Sequence, residues 1–504
     1  MQLRKFRLVA ALVAFLSLTA RADDPQQWRS IALSRALAAA ETIEDPYRRA
    51  EILASIARVQ TLVAESAVDR TIHQALTAVT QIREPAFRDW ALNDVVLAQI
   101  AADDLAGARE TANRIEAKRQ QGAALVQIAT VQLRGGNVAG AQQTAASIRE
   151  QEAKSEILRQ IVAISASRGE LDAARAMLRD IDDPFYQPLA VGDIAVAEVR
   201  AGRNDKANAM VARVRRSDRG QVLGRIALAR ADRGDMTGAT ETLQKIDDDL
   251  YRAVMQGRLA ATCAVEGDME AARKMFAAAI DGVQAYSGEP ERRALTFAQI
   301  GRLQAVSGDS QSAVQTLMRA LRAAESLAKS DQREDTLDHI ARGLARAGDS
   351  TGALQAALRM NDRVARALLV RDVVSMQTNA SSASASASAA EFDDPLIEAA
   401  AQFGVLGMQL LRTTAPLSPE TIESARRAIR NIEEKQPKPA AFAALAAARV
   451  KSGDVEQGSS IFKEALDAAD AITRNDQRAT AYVDMVTALN DRLMFLGKPA
   501  SEEK

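Results

Sequence analysis

The chain has 504 residues, with 65 Lys and Arg against 66 Asp and Glu, two His, one Cys and 4% aromatics. Two histidines and one cysteine exclude a His/Cys metal cluster and a disulfide framework, and near-neutral charge with few aromatics argues against a nucleic-acid surface. The composition, 47% hydrophobic and rich in Ala, Leu, Arg and Gln, favours helix nearly throughout, either as about three domains of ~150 residues or as one long array.

The N-terminus reads as an address. A basic start (Arg4, Lys5, Arg7) precedes an uncharged apolar run from Leu8 to Ala20 and the triplet Ala20-Arg21-Ala22. This order fits a secretory signal peptide over residues 1–22, cleaved near Ala22. The run is shorter than the ~20 residues that span a bilayer comfortably. Cleavage would remove Arg4, Lys5, Arg7 and Arg21 and take the net charge from −1 to −5. The expected product is an exported protein without a membrane-spanning segment, periplasmic in a Gram-negative source.

A helix from Gln26 to Thr42 follows, expected to cap what comes next with Trp28 packed inward. Then a punctuation mark recurs: Gly136-Asn137, Gly169-Glu170, Gly234-Asp235, Gly267-Asp268, Gly308-Asp309, Gly348-Asp349 and Gly453-Asp454, with Asp103-Asp104 and Gly202-Arg203 in phase. Steps of 32 or 33 residues separate these marks from 103 to 267, and the next two steps are 41 and 40. A fixed period of this size is the sign of stacked repeats. Eight residues before each mark stands an aliphatic, among them Val95, Ile128, Ile194, Leu259 and Leu445. Five after comes Ala, as at Ala108, Ala141, Ala239 and Ala313, and twelve after comes an apolar residue such as Ile115, Ile181 or Met360. Glycine ends one helix with a left-handed turn and the next residue caps another. Each unit is thus a helix A, a tight turn and a helix B, stable only when its neighbours cover its apolar faces. Acid-Pro pairs at Asp45-Pro46, Glu84-Pro85, Asp183-Pro184 and Glu289-Pro290, and Asp331-Gln332-Arg333, mark starts of helix A. The first unit, around Ile56 and Ala57, lacks the Gly-Asp turn.

This pattern resembles the tetratricopeptide repeat family, most closely around Phe297, Ile300, Gly301, Gly308, Asp309 and Ala313, and around Phe442, Leu445, Gly453, Asp454 and Phe462. It departs from that family where an aromatic is usual in helix A, placing Gln132, Ser165, Glu198, Arg230 and Cys263 there, and it mostly lacks the closing Pro. The resemblance implies an all-α fold, a right-handed superhelical α-solenoid of helix-turn-helix units over residues 23–377, which binds a protein or peptide. It also implies that helix A lines a groove. In most units the residue nine before the mark is polar, at Gln127, Gln160, Asp193, Arg225, Arg258, Gln299 and His339, a stripe expected to face the partner.

Residues 378–390, rich in alternating Ser and Ala, read as a flexible linker. A C-terminal helical block, 391–504, follows, with at least one further hairpin at Gly453 and a final amphipathic helix from about Gln477 to Leu496. It is expected to dock back and prolong the array, or else to pair chains. The sequence contains no nucleotide loop, Cys-x-x-Cys or His-Glu-x-x-His motif. No catalytic residue, cofactor or metal is assigned. Cys263 reads as a core residue, and Asp103-Asp104 and Asp247-Asp248-Asp249 as turn and cap acids. The string from Gly404 to Leu410, then Thr413-Thr414-Ala415, is loosely similar to a lytic transglycosylase motif. The reading is therefore a non-enzymatic, exported partner-binding scaffold, with an envelope-glycan-acting enzyme or a self-assembling subunit as the alternative.

Overall fold

The computed structural model describes residues 25–325, 327–328, 330–376, 392–412 and 419–490. The stretches expected to be a signal peptide (1–22) and a linker (378–390), the Thr413-Thr414-Ala415 string and the last residues of the expected final helix lie outside these residues. Every regular element described is a helix.

Helix α1 (Pro25–Glu41) comes first. Hairpins of a helix A and a helix B follow: α2 (Pro46–Leu62) with α3 (Val68–Thr80), α4 (Pro85–Ala101) with α5 (Leu105–Asn113), α6 (Lys118–Arg134) with α7 (Val138–Ala146), and α8 (Gln151–Ser167) with α9 (Leu171–Leu178). Next are α10 (Tyr186–Arg200) with α11 (Asn204–Val211), α12 (Arg219–Ala231) with α13 (Met236–Leu243), and α14 (Asp249–Val265) with α15 (Met269–Ala285). Then come α16 (Pro290–Val306) with α17 (Ser310–Glu325), α18 (Asp331–Ala347) with α19 (Ser350–Leu358), and the lone α20 (Arg363–Ser375). The C-terminal block supplies α21 (Pro395–Arg412) with α22 (Pro419–Asn431), α23 (Pro437–Lys451) with α24 (Val455–Asp470), and α25 (Asn475–Asn490).

Among the described residues, one kind of turn joins helix A to helix B. Gly136, Gly169, Gly202, Gly234, Gly267, Gly308, Gly348 and Gly453 all have φ between 77° and 95°. The geometry at the first of these is repeated at the others: Asn137 N–H reaches back to Gln132 C=O at 2.8 Å and Gly136 N–H to Leu133 C=O at 3.0 Å. This pair of bonds satisfies carbonyls that a helix end leaves open. The following side chain then caps helix B: Asp104, Asn137, Asp235, Asp268, Asp349 and Asp454 each accept from the backbone N–H three residues on. Two turns dispense with glycine. Asp103 and Ala64 hold the left-handed position at φ 61° and 55°, and the latter is how the first hairpin turns without a Gly-Asp mark.

The recurrent apolar sites form the core. Val95, Ile128, Ile161, Ile194, Ile226 and Leu259 of helix A, and Ala108, Ala141, Ala174, Ala207, Ala239 and Ala272 of helix B, are fully buried. Alanine at the second set lets the two backbones approach. The change in period has a simple cause. Helix B has nine residues in α5 and α7 but seventeen in α15 and sixteen in α17. In the short units Ile115, Ile148, Ile181 and Ile246 lie just beyond helix B and are buried in its place.

Where an aromatic would wedge the hairpin open, this chain ties it shut with polar groups. Gln132 accepts from Thr144 Oγ1 at 2.8 Å. Arg230 donates to Gly238 C=O and Thr242 Oγ1, both at 3.0 Å. The fully buried Glu198 carboxylate is held by Arg175 and Arg203. A buried donor or acceptor is costly only when unpaired, so such ties are specific without being destabilising.

The chain divides into two compact units. A central unit spans 117–369 with 376–378, and a terminal unit comprises the residues to 116, 370–375 and those from 379 onward. In the central unit consecutive A helices pack side by side from α6 to α18. In the terminal unit the two ends of the chain meet. Helix α1 packs on α25 as a helix B packs on its helix A, and α25 lies between α23 and α2. Trp28, 1% exposed, stacks on Phe462 of α24 with ring centroids 4.7 Å apart. Arg29 donates to Leu489 C=O at 2.9 Å, and Arg35 pairs with Asp470. So α1 is the second helix of the last hairpin rather than a cap over the first. Because α1, α23 and α2 all cover it, α25 is buried over most of its surface, including Ala479, Tyr482, Val483, Met485, Val486 and Leu489, and is not amphipathic.

Replacing Ala64 or Asp103 by Gly should relieve the left-handed strain and stabilise the fold by about 0.5–1 kcal/mol each, whereas Gly267→Ala should cost about 1 kcal/mol. Trp28→Ala should cost about 3–5 kcal/mol by removing the stacked ring at the junction of the chain ends. Thermal unfolding followed by circular dichroism measures all four.

Candidate partner-binding surface

The polar stripe stands nine residues before each left-handed glycine from Gly136 to Gly348, and the side chains meet different fates there. Gln127 on α6 and Arg258 on α14 are exposed, and Arg258 makes no ion pair among the described residues. Gln160, Gln299 and His339 are half-buried. Gln160 Oε1 lies 3.5 Å from Thr130 Oγ1 of the neighbouring helix A, and His339 Nδ1 is 2.9 Å from Asp335 C=O of its own helix. Asp193 and Arg225 are engaged with each other. Arg159, Asp193 and Arg225, from α8, α10 and α12, form a ladder of ion pairs across three repeats, with Arg159 Nε 2.9 Å from Asp193. Arg225 also donates to Leu189 C=O at 2.8 Å, lying along Gly192, where a Cβ would stand 2.6 Å from its Nη1. These two residues therefore set the spacing of helices A.

The same register continues in the terminal unit. The tenth residues of α2, α4 and α25 are Ser55, Asp94 and Asp484. Asp94 stands nine residues before the Asp103-Asp104 mark and is readable from it, whereas Ser55 and Asp484 belong to units without such a mark. Counting from the helix start (Pro46, Pro85, Asn475) would have found them. Ser55 and Asp484 line a cavity of about 710 Å³ between α2 and α25. Its wall carries Arg48 paired with Glu51 at 2.9 Å and Arg474 paired with Asp476 at 2.7 Å, over a floor that includes Ile52, Val59 and Val483. Arg58 donates to Ser55 Oγ at 3.0 Å. Crowding by the cavity wall pushes the Asp484 carboxyl up to about 6, although solvent reaches its side chain. Asp94 is also pushed up to about 6, by burial first and by the Glu51 charge, against the opposing pull of Arg58.

Other singled-out residues are structural. Cys263 is buried with its Sγ 3.9 Å from Met275 Sδ, and burial pushes its thiol up, the opposite of an activated nucleophile. Asp104 and Asp248 are helix caps, and Asp248 also pairs with Arg292. The Gly404 string lies in α21. Gly404, Val405 and Leu406 are buried, and a Cβ at Gly404 would come within 2.6 Å of the Arg371 carbonyl oxygen, so this glycine permits close helix packing. Gln409 is buried, donating to Thr421 Oγ1 at 3.1 Å.

Repeated helical hairpins with a left-handed turn, small residues at the crossing points and a stripe on helix A define a tetratricopeptide-like helical-repeat protein. Residues 251–326 match the sequence profile of the tetratricopeptide repeat family. That stretch, α14 to α17, contains two consecutive hairpins with long B helices, whereas α5, α7, α9, α11 and α13 are shortened to eight or nine residues. No curated protein matches the chain in sequence. Similar solved structures include Ton1535 from Thermococcus onnurineus, 16% identical, covering 58% of this chain and 98% of that one, with a TM-score of 0.29. A signal-transduction ATPase with a tetratricopeptide repeat sensor from Pyrococcus horikoshii is 12% identical, covering 86% and 64%, with a TM-score of 0.27. The human IFIT1 dimer with m7Gppp-AAAA is 12% identical, covering 88% and 95%, also with a TM-score of 0.27.

A carboxyl whose folded value is raised binds its proton more tightly in the folded state, so stability is lost as pH rises from about 4 through about 6. Asp484→Asn and Asp94→Asn should therefore melt above the wild type at pH 7.5, with the difference vanishing near pH 4. A difference independent of pH would contradict the assignment.

Proposed function

We propose that the protein is an exported, non-enzymatic scaffold. It presents the polar stripe of its helices A to a protein or peptide partner, as an adaptor, assembly factor or subunit of a cell-envelope complex. The observation that carries this reading is the contrast along helix A. The apolar sites of the repeat are buried in every unit, while Gln127 and Arg258 stand exposed at one register position with no ion pair or side-chain hydrogen bond shown within the chain. Exposed polar groups left unspent at a recurrent position suit a surface that meets another molecule. The tetratricopeptide match, which includes Arg258, supports partner binding. Export is supported by the basic start, the Leu8–Ala20 run and Ala20-Arg21-Ala22. No helix among the described residues is long and apolar enough to cross a membrane.

Capture of the partner from a periplasmic extract tests the surface. Gln127→Glu with Arg258→Glu should reduce capture about tenfold or more while the helical circular dichroism stays unchanged. Undiminished capture would move the binding surface elsewhere. Asp193 and Arg225 are unsuitable targets, since removing one strands the other's charge between helices. Export is tested by N-terminal sequencing of protein from the periplasm. A start at Asp23 is expected, and cytoplasmic protein retaining Met1 would contradict it.

A further inference from the structure

The terminal unit contains a second feature, an exposed aromatic group in an aromatic-poor chain. Tyr47 of α2 and Phe87 and Trp90 of α4 form a cluster with ring centroids 5.2, 5.4 and 6.3 Å apart. Phe87 is 43% exposed and Trp90 45% exposed. The other tryptophan, Trp28, is spent in the core. Large exposed aromatics grouped together are the usual anchors of an interface.

The cluster adjoins the cavity between α2 and α25. The Arg48 guanidinium lies over the Tyr47 ring, 5.5 Å from its centroid, and also lines the cavity. Leu62, 58% exposed, lies on the same cavity wall. The charges there do not balance once internal pairs are formed. Arg48 is matched by Glu51 and Arg474 by Asp476. Arg58 faces Asp94, which leaves Asp484, on the cavity lining, with no cation or hydrogen-bond donor shown against it. A concave site with a surplus carboxylate and π-faces at its edge attracts a cation on both counts.

We propose that this cavity and its aromatic cluster receive a basic side chain, lysine or arginine, from an extended peptide. Asp484 takes the charge, and Phe87 and Trp90 hold the adjoining apolar residue. This deepens the partner-binding reading by assigning a second contact, with its chemistry, in the unit where the chain ends meet.

A short fluorescein-labelled peptide of alternating Leu and Lys, titrated against the full chain by fluorescence anisotropy, tests it. Peptides with Ser or Glu in place of Lys are the comparisons. The Lys peptide should bind about tenfold tighter than the Ser peptide, and the Glu peptide should bind more weakly than either. Asp484→Asn and Trp90→Ala should each weaken the Lys peptide about tenfold with unchanged circular dichroism, while Glu270→Gln, in the central unit, should leave it unaffected. Equal binding of the Glu peptide, no binding of the Lys peptide, or unchanged affinity in either site variant would overturn the proposal. The stripe reading fails separately, through undiminished partner capture by the Gln127 and Arg258 variants.

Discussion

Everything in this chain depends on one backbone constraint, a residue held in the left-handed region at the end of each helix A. That conformation lets two N–H groups turn back onto the helix carbonyls and sends the chain directly into helix B. The angle between the helices is thereby reproduced, unit after unit. Once it is fixed, the aliphatic eight residues before the turn and the alanine five residues after it must meet. The glycines are therefore spaced by the length of helix B and by little else.

The repeat leaves each hairpin with one face for its partner helix, one for its neighbours and one over. Burial along the first two is nearly complete at the recurrent positions. The remaining face of helix A is where polar groups collect, and the position nine residues before the turn samples that face. At Asp193 and Arg225 the polar groups clamp neighbouring repeats, at Gln127 and Arg258 they are unspent, and at Ser55, Asp94 and Asp484 they surround or line a cavity. A single register position thus serves as clamp, open surface and pocket wall, according to its neighbours.

Most of the hairpins are legible in the sequence because their marks are local: a glycine, a cap, an acid-Pro start. The start at Asp183-Pro184 shows the limit of such reading, since its carboxylate accepts from Phe185 and Tyr186 N–H and the helix begins only at Tyr186. The partnership of α1 with α25 is not legible, because it joins residues more than four hundred positions apart and leaves no periodic trace. Trp28 is visibly a core residue, but nothing near it names Phe462 as its partner. Likewise Asp484 and Asp94 look like ordinary acids on a helical face. Only the assembled helices give them their environments, Asp484 on the cavity between α2 and α25 and Asp94 beside Arg58 and Glu51.

The account turns on the claim that the open face of helix A, rather than helix B, meets the partner. Site-specific photo-cross-linking tests it most directly, with a benzophenone side chain placed in turn at Gln127, Arg258 and, on the exposed side of helix B, Glu270. Partner adducts should form from the first two positions and not from the third. Adducts from Glu270 in place of Gln127 and Arg258 would contradict the account.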